Sequence, residues 1–251
     1  MSKVPVKIIL DDAMQKKYAA TGFAVNNMEQ IQSIVEAARI CRSPLIIMIS
    51  AKSLKYSRYI PYLIDAAIKE NPDIPIAMHL DHGVSFKQCR DAIDFGFSSV
   101  MLDGTFDEEG RPSSYHYNFE LTKKVADYGH RFGVTVEGEI GFIGGKEDDI
   151  DIKGNKFTDP GIVKEFVECT GIDSLAVSIG NSHGLNKFDG EQKLRFDILA
   201  EIHERIPEVP LVLHGASSIP DQYIRKIKKY GGDLHNTKGV PIDQIKKAIT
   251  L

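Results

Sequence analysis

Residues 74–96, IPIAMHLDHGVSFKQCRDAIDFG, contain the pattern that decides the fold. The run IPIAMHL (74–80) is short and apolar, which is typical of a strand buried on both faces. After Ser85 the apolar residues recur at intervals of three and four, as in a helix that packs one face on a sheet. Ser85 itself stands where a helix N-cap is expected. The stretch therefore predicts one strand followed by one helix.

The same unit recurs along nearly the whole chain. The other apolar runs are GFAVN (22–26), PLIIMIS (44–50), SSVMLDG (98–104), GVTVEGEIG (133–141), DSLAVSIG (173–180) and VPLVLHG (209–215). Asn27 and the pair Thr158–Asp159 are start signals for further helices. Alternating strands and helices predict a parallel sheet. Because no GxGxxG motif follows a strand, the repetition favours a TIM barrel over a Rossmann sheet.

The predicted fold class is therefore α/β, a TIM (β/α)8 barrel, with residues 1–251 forming a single barrel domain. The apolar runs are one strand short of eight. The last residues, GVPIDQIKKAITL (239–251), have a helical pattern. We expect the barrel to be truncated before its eighth strand, with the C-terminal strand and helix missing from the sequence.

Composition excludes several classes of partner. A formal net charge of −4 and a pI near 6.1 give no overall basic field for nucleic acid or an anionic membrane. The N-terminus lacks the long apolar region of a secretory signal, and no uncharged run approaches the roughly 18 residues of a membrane span. The three cysteines are widely spaced and predict no disulfide framework. We expect a cytoplasmic protein that binds a small molecule.

Polar residues collect where the predicted strands end, which is where parallel barrels have their active sites. Four of the eight histidines, His79, His82, His183 and His214, lie at these ends. One such histidine would more often be a core or loop residue than a ligand. Three separate strands supply them here, however, and three imidazoles can hold Zn²⁺ with a fourth position open, as in catalytic zinc sites. The sequence therefore predicts a zinc site at His82, His183 and His214.

HLDHG (79–83) resembles the HxDH element of class II fructose-bisphosphate and tagatose-bisphosphate aldolases. Five further stretches resemble motifs of this family in the same order: FAVNNMEQIQSIVEAA (23–38), SVMLDG (99–104), VEGEIGFIGGKED (136–148), SIGNSHG (178–184) and LVLHGASSIP (211–220). The resemblance covers nearly the whole chain. It implies a lyase that reversibly cleaves fructose 1,6-bisphosphate to dihydroxyacetone phosphate and glyceraldehyde 3-phosphate. Tagatose-bisphosphate aldolase is the alternative.

The resemblance also implies roles for individual residues. His82, His183 and His214 would bind the catalytic zinc, with Asp81 as the acid/base and Glu147 exchanging the proton on the ketone fragment. The positions that match a second divalent metal site are His79, Asp103 and Glu139. The eighth strand of the family carries an Asn-x-Asp-Thr-Asp element that lies beyond the sequence. Members of the family form homodimers or homotetramers, so the resemblance implies one of these assemblies.

Substrate binding is expected at the remaining polar strand ends and at glycine turns, whose N–H groups can face an anion. The residues predicted for it are Asn26, Ser50, Gly184, Lys187, Gly215, Ala216 and Ser217. By resemblance, the carbonyls of the two glycines would also hold a monovalent cation, Na⁺ or K⁺. The glycine-rich and then acidic stretch GFIGGKEDDID (141–151) is predicted to form a loop that closes over the substrate.

Other mechanisms and functions remain open at this point. A Schiff-base aldolase would need a lysine on a strand, and none of the apolar runs contains one. A zinc amidohydrolase would be expected to have His-x-His on the first strand, which ends in Val25-Asn26-Asn27. A non-catalytic barrel that binds sugar phosphate is the third alternative. The chain also departs from the family pattern at Ala24, at residues 50–53 and at Asp103-Gly104-Thr105-Phe106. The identity of the metal stays open as well, because imidazole suits cobalt or iron as well as zinc.

Overall fold

A computed structural model describes residues 3–147, 150–152, 156–184, 193–217, 219–234 and 239–251, and for residues 146, 147 and 150–152 it describes the backbone alone. The strands are β1 (Gly22–Ala24), β2 (Leu45–Ser50), β3 (Ile76–Gly83), β4 (Ser99–Leu102), β5 (Thr135–Ile140), β6 (Gly144–Glu147), β7 (Ile150–Ile152), β8 (Ser174–Val177), β9 (Ser182–His183) and β10 (Leu211–Val212). The helices are α1 (Val6–Lys16), α2 (Met28–Cys41), α3 (Ala51–Tyr56), α4 (Ile60–Glu70), α5 (Phe86–Phe95), α6 (Tyr115–Gly129), α7 (Pro160–Thr170), α8 (Phe196–Arg205), α9 (Asp221–Lys229) and α10 (Ile242–Ile249), with a 3-10 turn at His130–Phe132.

All seven predicted strands are confirmed. They form one sheet in the order β1-β2-β3-β4-β5-β8-β10, and its paired strands run parallel. A second sheet has the order β7-β6-β9. The stretch predicted as a loop that closes over the substrate contains β6 and β7, which pair antiparallel. Glycine and charged residues have low strand propensity, so these strands depend on main-chain pairing that the sequence does not show.

The chain divides into two compact units, of which unit 1 comprises Met1–Gly138 and Phe166–Ser174, and unit 2 comprises Glu139–Glu165 and Leu175–Leu251. That the chain forms a single domain stays a prediction. In unit 1 most side chains of β2 and β3 are buried, which explains the apolar runs at residues 45–49 and 76–78. Val6 and Ile9 of α1, a helix the sequence did not predict, pack against this core.

The predicted helix start signals are confirmed. The side chain of Asn27 accepts a hydrogen bond from the N–H of Gln30 at the start of α2, and that of Ser85 accepts one from Gln88 in α5. Asp159 accepts from the N–H of Gly161 at 2.8 Å at the start of α7. These acceptors satisfy N–H groups that the first helical turn leaves without partners.

In unit 2, β8 pairs with β10. Thr158 connects the end of β5 with the residue that follows β8. Its hydroxyl donates to the carbonyl of Ile140 and accepts from the N–H of Ser178. The helical pattern at the end of the sequence is confirmed as α10. None of the helices in the described ranges combines the length and the apolar character that crossing a membrane requires.

Candidate active site

The end of β3 carries a β-bulge that turns two successive side chains toward each other. Leu80 pairs with Val100 and Gly83 with Leu102, so Asp81 and His82 together stand opposite one residue of β4. His82 has a left-handed backbone with φ of 46°, which is rare outside glycine. Successive side chains of a regular strand point to opposite faces, but here His82 Nε2 lies 3.9 Å from Asp81 Oδ1. Backbone strain of this kind clusters at functional sites.

Asp103, which follows β4, faces the other side of the same imidazole. Its Oδ2 lies 3.5 Å from Nδ1 of His82, and its Oδ1 accepts hydrogen bonds from the N–H and hydroxyl of Thr105 at 3.0 and 2.5 Å. Burial pushes the pKa of the Asp103 carboxyl upward, but the hydrogen bonds from His82 and Thr105 outweigh it and hold that pKa below its usual value. Asp103 therefore stays ionised although it is buried.

The remaining candidate residues of unit 1 lie in two hydrogen-bonded groups. His79 is buried in β3, and its Nδ1 lies 2.8 Å from the hydroxyl of Ser99 in β4. Ser50 caps α3 by accepting from the N–H of Ser53 at 3.2 Å, and the hydroxyl of Ser53 donates to Asn26 Oδ1. Asn26 and Ser50, predicted from separate strands, are thus linked through Ser53, which sequence reasoning missed.

Unit 2 brings two of the predicted zinc ligands together. His183 and His214 are buried, and their ring centroids are 6.2 Å apart. With zinc–nitrogen bonds of about 2.1 Å, two imidazoles on one tetrahedral ion would have ring centroids roughly 5.3 Å apart, so these rings lie about 1 Å farther apart than a shared zinc ion requires. The fully buried side chain of Asn181 supports them, since its Nδ2 donates to the His214 carbonyl at 2.7 Å and its Oδ1 accepts from Ile179 N–H at 2.8 Å.

Glycines let the backbone close tightly around His183. A Cβ on Gly145 would lie 2.3 Å from the carbonyl oxygen of His183, and one on Gly215 would lie 2.4 Å from that of Ser182. Both glycines have left-handed backbones, with φ of 103° and 65°. The first strand of the predicted loop therefore pairs directly with β9, as the register of Gly145 with His183 confirms.

The other predicted residues of unit 2 are placed as follows. Glu139 is buried at 1% exposure in β5, Gly184 has a φ of 84°, Ala216 is half-buried and Ser217 is exposed. Glu147 ends β6, but its side chain and the whole of Lys187 lie outside the described residues. Thr105 and Ser53 are the supporting residues that the sequence did not identify. The only signal for Thr105 is its place two residues after an aspartate, where Asx turns form.

Comparison with known proteins gives consistent matches. The family model described as "Fructose-bisphosphate aldolase class-II" matches residues 4–238. The plasmid fructose-bisphosphate aldolase of Cupriavidus necator is 41% identical over 99% of this chain and 77% of its own length. That of Treponema pallidum is 42% identical over 98% and 78%. The crystal structure of the YdjI aldolase from Escherichia coli K12 covers 95% of this chain and 80% of its own, with a TM-score of 0.73 and 30% identity. The predicted α/β fold class of the TIM-barrel type is confirmed.

Proposed function

Because the chain belongs to the class II fructose-bisphosphate aldolase family, we propose that it cleaves fructose 1,6-bisphosphate reversibly to dihydroxyacetone phosphate and glyceraldehyde 3-phosphate. It is a lyase that acts on a small sugar phosphate. The observation that carries the proposal is the family match across residues 4–238, which includes every described residue of the candidate site. The same family match favours an aldolase over the zinc amidohydrolase alternative.

The proposed zinc ligands are His82, His183 and His214. The donor set suits this metal, because neutral imidazoles are common zinc ligands and three of them leave a position open. The proximity of the His183 and His214 rings and the contact of His82 Nδ1 with a carboxylate support the assignment. When bound, zinc supplies Lewis-acid stabilisation of the negative charge that develops beside a carbonyl.

Asp81 is the proposed base of the cleavage direction. It removes the proton from the C4 hydroxyl of the ketose, which allows the C3–C4 bond to break and the C4 carbonyl to form, and it returns that proton in the synthesis direction. The bulge in β3 supports this role, because it holds the Asp81 carboxylate beside His82. A carboxylate on a rigid strand can stay within hydrogen-bond distance of the hydroxyl from which it removes the proton.

Glu147 is proposed to exchange the proton on the ketone fragment. It is the last residue of β6, and the first residues of that strand pair with β9. His79, Asp103 and Glu139 are proposed for a second divalent ion. Substrate binding is proposed for Asn26, Ser50, Gly184, Lys187, Gly215, Ala216 and Ser217. The left-handed backbones of Gly184 and Gly215 support turns whose N–H groups face a phosphate. A monovalent cation at these glycines, a cytoplasmic location and a homodimer or homotetramer complete the proposal.

The test measures cleavage of fructose 1,6-bisphosphate and tagatose 1,6-bisphosphate by coupled detection of the triose phosphates. The protein is assayed as purified, after chelation and after zinc is restored. We expect zinc-dependent cleavage with fructose 1,6-bisphosphate preferred. Preference for the tagatose sugar would select the alternative substrate, because the two sugars differ in the configuration of one hydroxyl.

Two variants assign the roles in this assay. Asp81→Asn is expected to reduce kcat by roughly 100-fold or more, the scale of a lost general base, while zinc content stays unchanged. Asp11→Asn, on the exposed face of α1, is the matched control and should behave as wild type. A folded, zinc-loaded wild-type protein that cleaves neither sugar would leave only a sugar-phosphate-binding function.

A further inference from the structure

We propose that Thr105 is a positioning residue for the zinc site, which holds Asp103 so that its second oxygen accepts a hydrogen bond from Nδ1 of His82. The inference deepens the proposed function and rests on it, because His82 is a zinc ligand only in that proposal. Thr105 lies in one of the stretches where this chain departs from the family pattern. Neither motif matching nor hydrophobic periodicity points to it.

Thr105 fixes the rotation of the Asp103 carboxylate. Its N–H and its hydroxyl donate to the same oxygen, Oδ1, at 3.0 and 2.5 Å. A carboxylate with one oxygen bound twice has little freedom to turn about its Cβ–Cγ bond. The other oxygen, Oδ2, is then directed at the imidazole of His82, 3.5 Å from Nδ1.

The main chain around Thr105 is itself held in place. Its carbonyl oxygen accepts a hydrogen bond from the N–H of Ser113 at 2.9 Å, and Phe106 forms a bridge with Pro112. A Cβ on Gly104 would lie 2.3 Å from Asn118 Oδ1 and 3.0 Å from Asn118 Cα, so the turn is packed directly on α6. Thr105 is only 9% exposed. It therefore has the fixed backbone that a positioning residue needs.

The consequence for His82 follows from imidazole chemistry. A neutral imidazole that binds a metal through one nitrogen carries a hydrogen on the other, and the acceptor of that hydrogen sets the tautomer and the ring orientation. With Nδ1 directed at Asp103, Nε2 is the atom left to bind zinc. Nε2 is also the nitrogen on the side of Asp81, the proposed base. Thr105 thus acts on the metal site through two intervening side chains.

The experiment measures zinc affinity by competition with a chelating dye in the wild type, Thr105→Val and Thr105→Ser. Valine keeps the shape and the backbone N–H but removes the hydroxyl donor, whereas serine retains the hydroxyl and is the matched control. Loss of an outer partner of a zinc ligand typically weakens metal binding by about 10- to 100-fold. We expect the zinc dissociation constant to rise about tenfold in T105V and no more than about twofold in T105S.

Two further readouts separate positioning from general instability. The unfolding midpoint of the metal-free T105V protein is measured, and kcat at saturating zinc should recover to near the wild-type value. If T105V does not fold, Thr105→Ala removes the same hydroxyl and carries the same test. Zinc affinity in T105V within threefold of wild type, or an equal loss in T105S, overturns the inference. A wild-type protein that binds no zinc would instead overturn the proposed function.

Discussion

Replacing Asn181 with leucine is expected to destabilise unit 2 and to displace His214, one of the proposed zinc ligands. Asn181 is fully buried and uses its amide at both ends, toward the carbonyl of His214 and the N–H of Ile179. Leucine has a similar volume but can neither donate nor accept. The substitution therefore removes two short hydrogen bonds, and a longer one of 3.3 Å from Nδ2 to the Val177 carbonyl, in a place that water does not reach.

The size of the effect follows from burial. A buried donor or acceptor that loses its partner costs about 1–3 kcal/mol, so two of them cost about 2–6 kcal/mol. The greater apolar burial of leucine offsets about 1–2 kcal/mol of this. A net loss of about 3 kcal/mol lowers the Tm of a chain of this size by roughly 6–12 °C. Because the His214 backbone loses its support, zinc affinity should also fall about tenfold.

The assay compares apparent Tm at one scan rate, together with zinc affinity, for wild type, Asn181→Leu and Asn71→Leu. Asn71 is the matched control, because its Nδ2 also donates to a main-chain carbonyl, that of Ala67 at 2.8 Å, but at the partly exposed end of α4. Water can replace this bond, so we expect a loss of only about 0.5–1.5 kcal/mol. The reasoning is refuted if N181L melts within about 2 °C of wild type and binds zinc equally well.

Three further outcomes are expected. Gly145→Ala should lower kcat/KM roughly tenfold or more, since the new Cβ would lie 2.3 Å from a carbonyl oxygen of β9 and φ is 103°; unchanged steady-state kinetics would contradict this. In the folded protein at pH 8, iodoacetamide should label the two exposed cysteines and spare Cys89, because burial raises its pKa to about 12; mass spectrometry that finds Cys89 labelled would contradict this. Asp173→Ala should cost about 2 kcal/mol in urea unfolding, because the N–H of Val136 in β5 loses its acceptor. His130→Ala removes only the partly exposed hydrogen bond between its imidazole and Asp173 and should cost less than about 1 kcal/mol; the reverse order would count against this assignment.

The sequence predicted the local structure well because local rules govern it. The predicted strands are apolar runs, and those of β2, β3, β4, β5 and β8 have the length and composition that suit burial on both faces. The helix start signals at Asn27, Ser85 and Asp159 are confirmed, since a cap involves residues only two or three positions apart. By contrast, β6 and β9 are glycine-rich or very short, and their pairing depends on segments nearly 40 residues apart.

For the candidate site, the sequence by itself determined which residue types stand at the ends of which strands, and their order matched a known family. Only the tertiary structure decided how those side chains are aimed. The bulge at Asp81 and His82 exists only in pairing with β4, and the support of Asp103 by Thr105 depends on a packed turn. The support of His214 by Asn181 joins residues 33 positions apart. Strand ends follow from local patterns, whereas orientation follows from contacts between distant segments, which no single stretch of sequence encodes.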